Sequence, residues 1–350
     1  MEVKETISIS IDGKQITTEK GKTILEAALD NKIEIPHLCY HPKVSKTGAC
    51  RICLVKINDK LLKASCTEPA TEGMKIITED QEIKEIRKGI LEMLMAEGEY
   101  NWEEDSELKK LAEKYDCLSV DSIFPKNVRD KDFISSKGLK RDENKCILCG
   151  RCVKACSEIQ MMNVWGFSAR GSKNRLTADM FEKIGDSTCV ACGTCVQLCP
   201  TGALSFQTVL GEGKDSELEK ESSICIYCGV GCKIDFYKNK KGELVKALGC
   251  DDGPNEGHLC VKGRFGFDFV QSEKRLSAPL IRKNGQLEEA TWDEALDLVA
   301  SKLGEIKKTS GPDSIMSFSS AKCTNEENYI FQKFMRAVIG TNNVDHCARL

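Results

Sequence analysis

Cysteine is the residue type that could do chemistry here. The chain of 350 residues carries 20 cysteines against 4 histidines, and sixteen of those cysteines fall into four runs. Cys146, Cys149, Cys152 and Cys156 have the spacing C-x2-C-x2-C-x3-C. Cys189, Cys192, Cys195 and Cys199, followed by Pro200, repeat it 43 residues later. Three thiolates at three-residue intervals wrap a tight loop around one 4Fe–4S cubane, and the fourth, at the start of the next helix, points towards the other cluster. The expected ligand sets are therefore crossed: Cys146, Cys149, Cys152 with Cys199, and Cys189, Cys192, Cys195 with Cys156. Cys39, Cys50, Cys53 and Cys66 (C-x10-C-x2-C-x12-C) form a third all-thiol set, and Cys225, Cys228, Cys232 and Cys260 (C-x2-C-x3-C-x27-C) a fourth. Soft thiolates without histidine take iron–sulfur clusters or zinc. Zinc ribbons use two separated pairs rather than four cysteines in a row, which argues against zinc in the repeated runs. At the Cys39 set zinc stays open on spacing alone. A disulfide scaffold of this density would be small and secreted, and this chain is neither.

Composition excludes other classes. Lysine plus arginine (51) against aspartate plus glutamate (54) leaves a net charge of -3, with no electrostatic footprint for nucleic acid or an anionic membrane. No run approaches eighteen apolar residues, so no membrane span is expected. Met1-Glu2-Val3-Lys4-Glu5 has neither a twin-arginine pair nor an apolar signal core, so the expected location is the cytoplasm. No G-x-G-x-x-G or Walker motif is present, so a nucleotide should bind elsewhere. Cys117, Cys250, Cys323 and Cys347 stand outside the runs and are expected as buried small hydrophobes. His37 and His41 flank Cys39, where four cysteines already complete a site, so both are expected to be structural.

The elements that must position these thiols divide the chain. In residues 1–78, Ile7, Ile9 and Ile11 alternate up to Asp12-Gly13, the signature of a hairpin. Ile24, Leu25, Ala28 and Leu29 then predict a short helix over 22–31. Residues 79–135 read as helical, with Ile83, Ile86, Ile90, Leu94 and Met95 on one stripe. Residues 136–210 hold the internal repeat, 211–222 a polar linker, and 223–280 the fourth cysteine run. Residues 281–350 open on an amphipathic helix over 292–303, with Ala295, Leu296, Leu298 and Val299 apolar.

The repeated runs resemble the bacterial two-cluster ferredoxin domain. Gly48-Ala49-Cys50-Arg51-Ile52-Cys53, with the first spacing, resembles the N-terminal 2Fe–2S domain of the large iron–sulfur subunit of respiratory complex I. Iron-only hydrogenases and some formate dehydrogenases begin the same way. The Cys225 run, with Cys260-Val261-Lys262-Gly263-Arg264, resembles the 4Fe–4S site of molybdopterin oxidoreductases. Ala290-Thr291-Trp292-Asp293-Glu294-Ala295-Leu296, Gly311-Pro312-Asp313-Ser314-Ile315 and Thr324-Asn325-Glu326-Glu327-Asn328-Tyr329 are similar to formate dehydrogenase catalytic subunits. So are Gly340-Thr341-Asn342-Asn343-Val344-Asp345 and Cys347-Ala348-Arg349-Leu350.

The resemblance implies an α+β multidomain chain: a β-grasp 2Fe–2S domain, a helical segment, the two-cluster ferredoxin domain and the start of a molybdopterin oxidoreductase α/β domain. It implies one 2Fe–2S cluster on Cys39, Cys50, Cys53 and Cys66. It further implies three 4Fe–4S clusters, two on the crossed sets and one on Cys225, Cys228, Cys232 and Cys260. The full-length protein would hold molybdenum or tungsten on a bis-pterin guanine dinucleotide, with Lys262 as the electron bridge on the pterin side. Formate and CO2 are the implied substrates. The implied partners are flavin-bearing iron–sulfur subunits reducing NAD or NADP, ferredoxin, or hydrogenase subunits. His258 is expected as a loop or pterin-side residue, and His346 near the active site without a role. In the complex I family a further cluster on one histidine and three cysteines follows the 2Fe–2S domain. Residues 97–117 have no histidine and a single cysteine, Cys117, among Glu103, Glu104, Lys109, Lys110 and Lys114, so this degenerate site is expected to be plain helix. The formate dehydrogenase family places its metal-ligating cysteine or selenocysteine directly after the position of Leu350, so a selenocysteine codon read as a stop is the expectation there. The rivals are a stand-alone iron–sulfur electron-transfer subunit, an iron-only hydrogenase and a complex I-type subunit.

Overall fold

The computed structural model describes residues 5–100, 105–118, 138–180, 183–209, 212, 214–321 and 323–346. The isoleucine alternation forms the hairpin of β1 (Thr6–Ile11) and β2 (Lys14–Glu19), paired from Thr6↔Glu19 to Ile11↔Lys14. Asp12 and Gly13 take φ of 49° and 81°, the left-handed pair that a two-residue hairpin turn needs. Thr23 and Glu26 close a reciprocal capping box on α1 (Ile24–Asp30). With β3 (Leu54–Ile57), β4 (Leu61–Ala64) and β5 (Lys75–Ile77), the sheet runs β2-β1-β5-β3-β4, with β1 and β5 parallel. Its inner face buries Ile7, Ile9 and Ile11 against Ile24, Leu25 and Ala28, the expected β-grasp arrangement.

The helical block holds α2 (Gln81–Ala96) and α3 (Glu107–Lys114); Glu103, Glu104 and residues 119–135 lie outside the described residues. The buried face of α2 differs from the expected stripe. It presents Ile83, Arg87 and Leu91, while Ile86, Ile90 and Leu94 are only half-buried. Arg87 sits inside because backbone carbonyls face it. Its Nε donates to the Ile52 carbonyl at 3.0 Å, Nη2 to those of Leu54 and Thr78 at 2.8 Å, and Nη1 to the Tyr115 hydroxyl at 2.9 Å. Ile52 lies between Cys50 and Cys53, so α2 holds the cysteine loop through this one side chain. Arg87→Met would leave these acceptors buried and unpaired, a local cost of about 3 kcal/mol. Hydrogen exchange of the amides over 50–57 should then accelerate on the order of 10²-fold; unchanged protection there would count against this anchoring.

The repeat is visible in the backbone. β6 (Leu139–Arg141) pairs antiparallel with β9 (Leu204–Phe206), bringing the two ends of the block together. Between them lie α4 (Arg151–Lys154), widening into a π-turn at Ala155–Ile159, β7 (Trp165–Ser168), β8 (Arg175–Ala178) and α5 (Thr194–Gln197). Leu148 and Gly150 in the first loop have φ of 54° and 80°, matched by 51° and 71° at Ala191 and Gly193 in the second.

β10 (Glu219–Ile224), β11 (Lys233–Lys238) and β12 (Leu244–Gly249) form an antiparallel sheet. β10 begins inside the stretch expected as linker, and every one of its residues is exposed, so it lacks the apolar alternation that marks a strand in sequence. α6 (Val261–Phe265) follows Cys260. The last block has β13 (Leu280–Lys283), β14 (Gln286–Glu289), α7 (Trp292–Ser310), β15 (Ser317–Ser319), α8 (Asn325–Phe334) and β16 (Val344–His346), with β15 and β16 parallel across α8. Among the described residues α7 buries none of its side chains, and no helix is long and apolar enough to cross a membrane.

Candidate iron–sulfur centres

The four cysteines of the first set are gathered in the loops beside the β-grasp sheet, none more than 6% exposed. The Cys39 N–H donates to Cys50 Sγ at 3.4 Å and the Cys50 N–H to Cys39 Sγ at 3.5 Å. Hydrogen bonds with Cys50 and Cys66 hold the Cys39 thiol well below the usual thiol range and push the Cys50 and Cys66 thiols far up. Gly48 turns the loop with φ of 66°, and a Cβ there would stand 3.0 Å from the Thr67 methyl. The flanking histidines take no part. His37 Nδ1 bonds the Ile35 carbonyl at 2.8 Å, and His41 Nδ1 accepts the Lys43 N–H at 3.3 Å. Burial pushes His41 down to about 4, so its ring is neutral at ordinary pH.

The repeated runs line two cavities. One is walled by Cys146, Cys149, Cys152 and Cys199 together with Leu176 and Phe167. The other is walled by Cys156, Cys189, Cys192 and Cys195 together with Leu139 and Trp165. Each cavity thus gathers three cysteines of one run and the fourth of the other. Burial lifts the Cys149 thiol to about 12 and raises Cys152 and Cys195 as well. Iron must therefore displace these protons on binding, which couples cluster loading to pH. In the fourth set the Cys225 N–H donates to the Cys232 carbonyl at 2.8 Å. The Cys232 thiol is raised by burial and by its neighbours Cys225, Cys228 and Cys260. Cys228 and Cys260 are exposed. A Cβ on Gly263 would lie 3.6 Å from Cys225 Sγ, so the first turn of α6 closes over this set. Lys262 stands exposed on that turn. All four donor sets suit iron–sulfur clusters.

Apolar cores connect the centres. Leu38, Cys39 and Cys50 share one with Leu108, Ile147 and Cys149, between the first set and the first cavity. Leu248 and Phe265, from the fourth block, pack on the core that holds Cys195. Two buried arginines bolt the same junctions. Arg151 donates to the Tyr40 carbonyl at 2.7 Å, to the Leu198 carbonyl at 3.3 Å, and to both oxygens of Glu107 at 2.7 and 2.9 Å. Arg264 donates from Nε to the Cys192 carbonyl at 3.0 Å and from Nη1 to the Ala247 carbonyl at 2.9 Å. Residue type gave no signal for either, because charged side chains are rarely fully buried.

A 2Fe-2S iron-sulfur cluster binding domain matches residues 4–81 and a 4Fe-4S dicluster domain residues 145–203. A molybdopterin oxidoreductase Fe4S4 domain matches 218–272 and a molybdopterin oxidoreductase domain 275–350. The chain belongs to the molybdopterin oxidoreductases. It corresponds to the N-terminal part of their alpha subunits and spans about 40% of the length of the curated relatives it matches. This molybdopterin oxidoreductase chain is 34% identical, over all of its length, to 40% of a Bacillus subtilis protein provisionally named formate dehydrogenase. It is 35% identical, over 98% of its length, to 40% of the NADPH-Fe(3+) oxidoreductase subunit alpha of Geobacter sulfurreducens. Among solved structures it is similar to a chain of an NAD+-reducing [NiFe]-hydrogenase, at 32% identity and a TM-score of 0.52, over 57% of this chain and 87% of that one.

The cysteines outside the runs divide. Cys117 is 1% exposed in the core beside Leu108 and Leu111, and Cys250 is 6% exposed, its thiol pushed up to about 11 by burial and by Asp235. Cys323 corrects the expectation: it is exposed beside Phe318 and Phe331, in the turn before α8, where nothing described in this molybdopterin oxidoreductase chain packs over it. Cys347 lies outside the described residues. Among the described residues His258 has a buried Nδ1 without a partner, and the ring of His346 is exposed.

Proposed function

We propose that the chain is the iron–sulfur electron-transfer part of a formate dehydrogenase, also able to run as a CO2 reductase. The reading gives the 2Fe–2S cluster to Cys39, Cys50, Cys53 and Cys66, and 4Fe–4S clusters to the two crossed sets and to the Cys225 set. Lys262 would stand towards a molybdenum or tungsten bis-pterin group, which supplies the chemistry that takes two electrons and a proton from formate. Each cluster carries one electron, so a row of clusters separates the pair and moves it outward. The proposed order is Lys262, the Cys225 set, the Cys156/Cys189 cavity, the Cys146/Cys199 cavity, then the Cys39 set. The observation that carries this is that two apolar cores meet the same cavity, one running from Phe265 and Leu248 to Cys152 and Cys199, the other from Cys149 to Leu38 and Cys39. The name of the hydrogenase relative favours partner subunits that reduce NAD, and that of the Geobacter relative favours NADPH.

That second relative also supports another reading, an iron–sulfur wire without formate chemistry, because it is as similar as the formate dehydrogenase. Metal analysis and formate reduction separate the two. The native protein, purified without oxygen, should hold about 14 iron atoms per chain, molybdenum or tungsten with pterin, and clusters that formate reduces. A full iron count with neither pterin nor formate response would leave the wire; stoichiometric zinc would defeat the cluster reading itself.

A further inference from the structure

The two repeated cavities are alike in backbone but not in charge. Arg151 and Arg264, each 1% exposed, flank them. Arg151 is held by both oxygens of Glu107, so beside the Cys146/Cys199 cavity cation and carboxylate cancel. Among the described residues no carboxylate lies within ion-pair distance of Arg264. Its Nη2 is buried without a partner, and burial presses its pKa down to about 10. A buried cation without a counter-charge is strongly destabilising. Arg264 Nε meets the Cys192 carbonyl at 3.0 Å, and the sulfurs of Cys192 and Cys195, negative once they hold iron, are the groups whose charge acts on it. The contact is close: a Cβ on Gly193 would lie 2.9 Å from Arg264 Nε and 2.8 Å from the Phe206 ring, on which the guanidinium stacks at 5.4 Å. Only glycine admits this side chain against the cysteine loop.

We infer that Arg264 raises the reduction potential of the cluster on Cys189, Cys192, Cys195 and Cys156, and that Glu107 denies the sister cluster the same effect by neutralising Arg151. The inference rests on the ligand sets of the proposed function. Reduction adds one negative charge to a cluster, and a bare cation beside the sulfurs stabilises that charge in the low-dielectric interior. Arg264 is carried by α6, on the block that holds the Cys225 set. The donor block thereby supplies the charge that makes the neighbouring cluster a better acceptor.

The test is an EPR-monitored redox titration of the native protein. Cys189→Ala first identifies the signal of the one cavity, and Cys146→Ala that of the other. Arg264→Met should lower the reduction constant of the first signal about tenfold, which is about 59 mV for one electron. Arg264→Lys, which keeps the charge, should recover most of that shift. Glu107→Gln should move the second signal by a similar amount in the opposite direction, because Arg151 then loses its counter-charge. Iron content is checked in each variant, and should Arg264→Met lose its cluster, Arg264→Lys and Glu107→Gln still decide. With iron intact, an unmoved first signal in Arg264→Met, equal shifts for Met and Lys, or no rise in Glu107→Gln overturns the inference. Loss of an unexpected signal in the cysteine variants overturns the ligand sets instead.

Discussion

Replacing Cys156 with serine should empty the cavity of the other cysteine run and leave its own intact. The Cys146, Cys149 and Cys152 loop keeps three thiols and receives Cys199, whereas Cys189, Cys192 and Cys195 lose their fourth wall. The cause lies in local backbone. An α-helix would stack Cys152 and Cys156, four residues apart, on one face. The π-turn at Ala155–Ile159 widens the helix at that point and offsets Cys156, whose Sγ then accepts the Val164 N–H at 3.3 Å. Cys199 comes just past the Leu198 C-cap of α5, and Pro200 prevents that helix from continuing. Roughly four iron atoms per chain should be lost, and the surviving 4Fe–4S signals should include the one that Cys146→Ala removes. Cys199→Ser should give the mirror result. Loss of the Cys146 signal in Cys156→Ser would mean that each run serves its own cluster.

What the sequence revealed follows from how far apart the partners lie along the chain. The hairpin at Ile7, Ile9 and Ile11, the capped helix after Thr23 and the paired cysteine loops are all written within a few residues, so spacing alone places them. Arg87, Arg151 and Arg264 escaped because their acceptors are remote: Tyr40 is 111 residues from Arg151 and Cys192 is 72 from Arg264. A buried arginine takes its meaning from carbonyls that only the folded chain presents. The same gap explains α2, where an apolar stripe was legible but the face turned inward centres on Arg87. It also explains Glu107, which reads as one more charge in a charged helix until Arg151 meets it.

Lys262→Met should break electron entry without unloading the clusters. α6 starts directly after Cys260, and residues 262 and 264 are about 200° apart around a helix. Arg264 is buried against the Cys192 loop, so Lys262 projects from the opposite side of the same turn, where it is exposed. Gly263 between them packs towards Cys225, which fixes the turn against the fourth cysteine set. The helix thus turns one cation towards the neighbouring cavity and holds the other outward, on the side where the proposed function places the pterin. Removing the outward charge leaves all sixteen run cysteines in place, so iron content and chemical reduction should stay at native values. Formate-driven reduction of the clusters in the native enzyme should slow at least about tenfold, equivalent to about 1.4 kcal/mol on the barrier. Lys262→Arg should keep most of the rate because it keeps the charge and the reach. Rapid-mixing spectroscopy with formate, run beside a chemical reductant, separates the two effects. An unchanged formate rate in Lys262→Met would make Lys262 an ordinary surface lysine and place electron entry elsewhere around the Cys225 set.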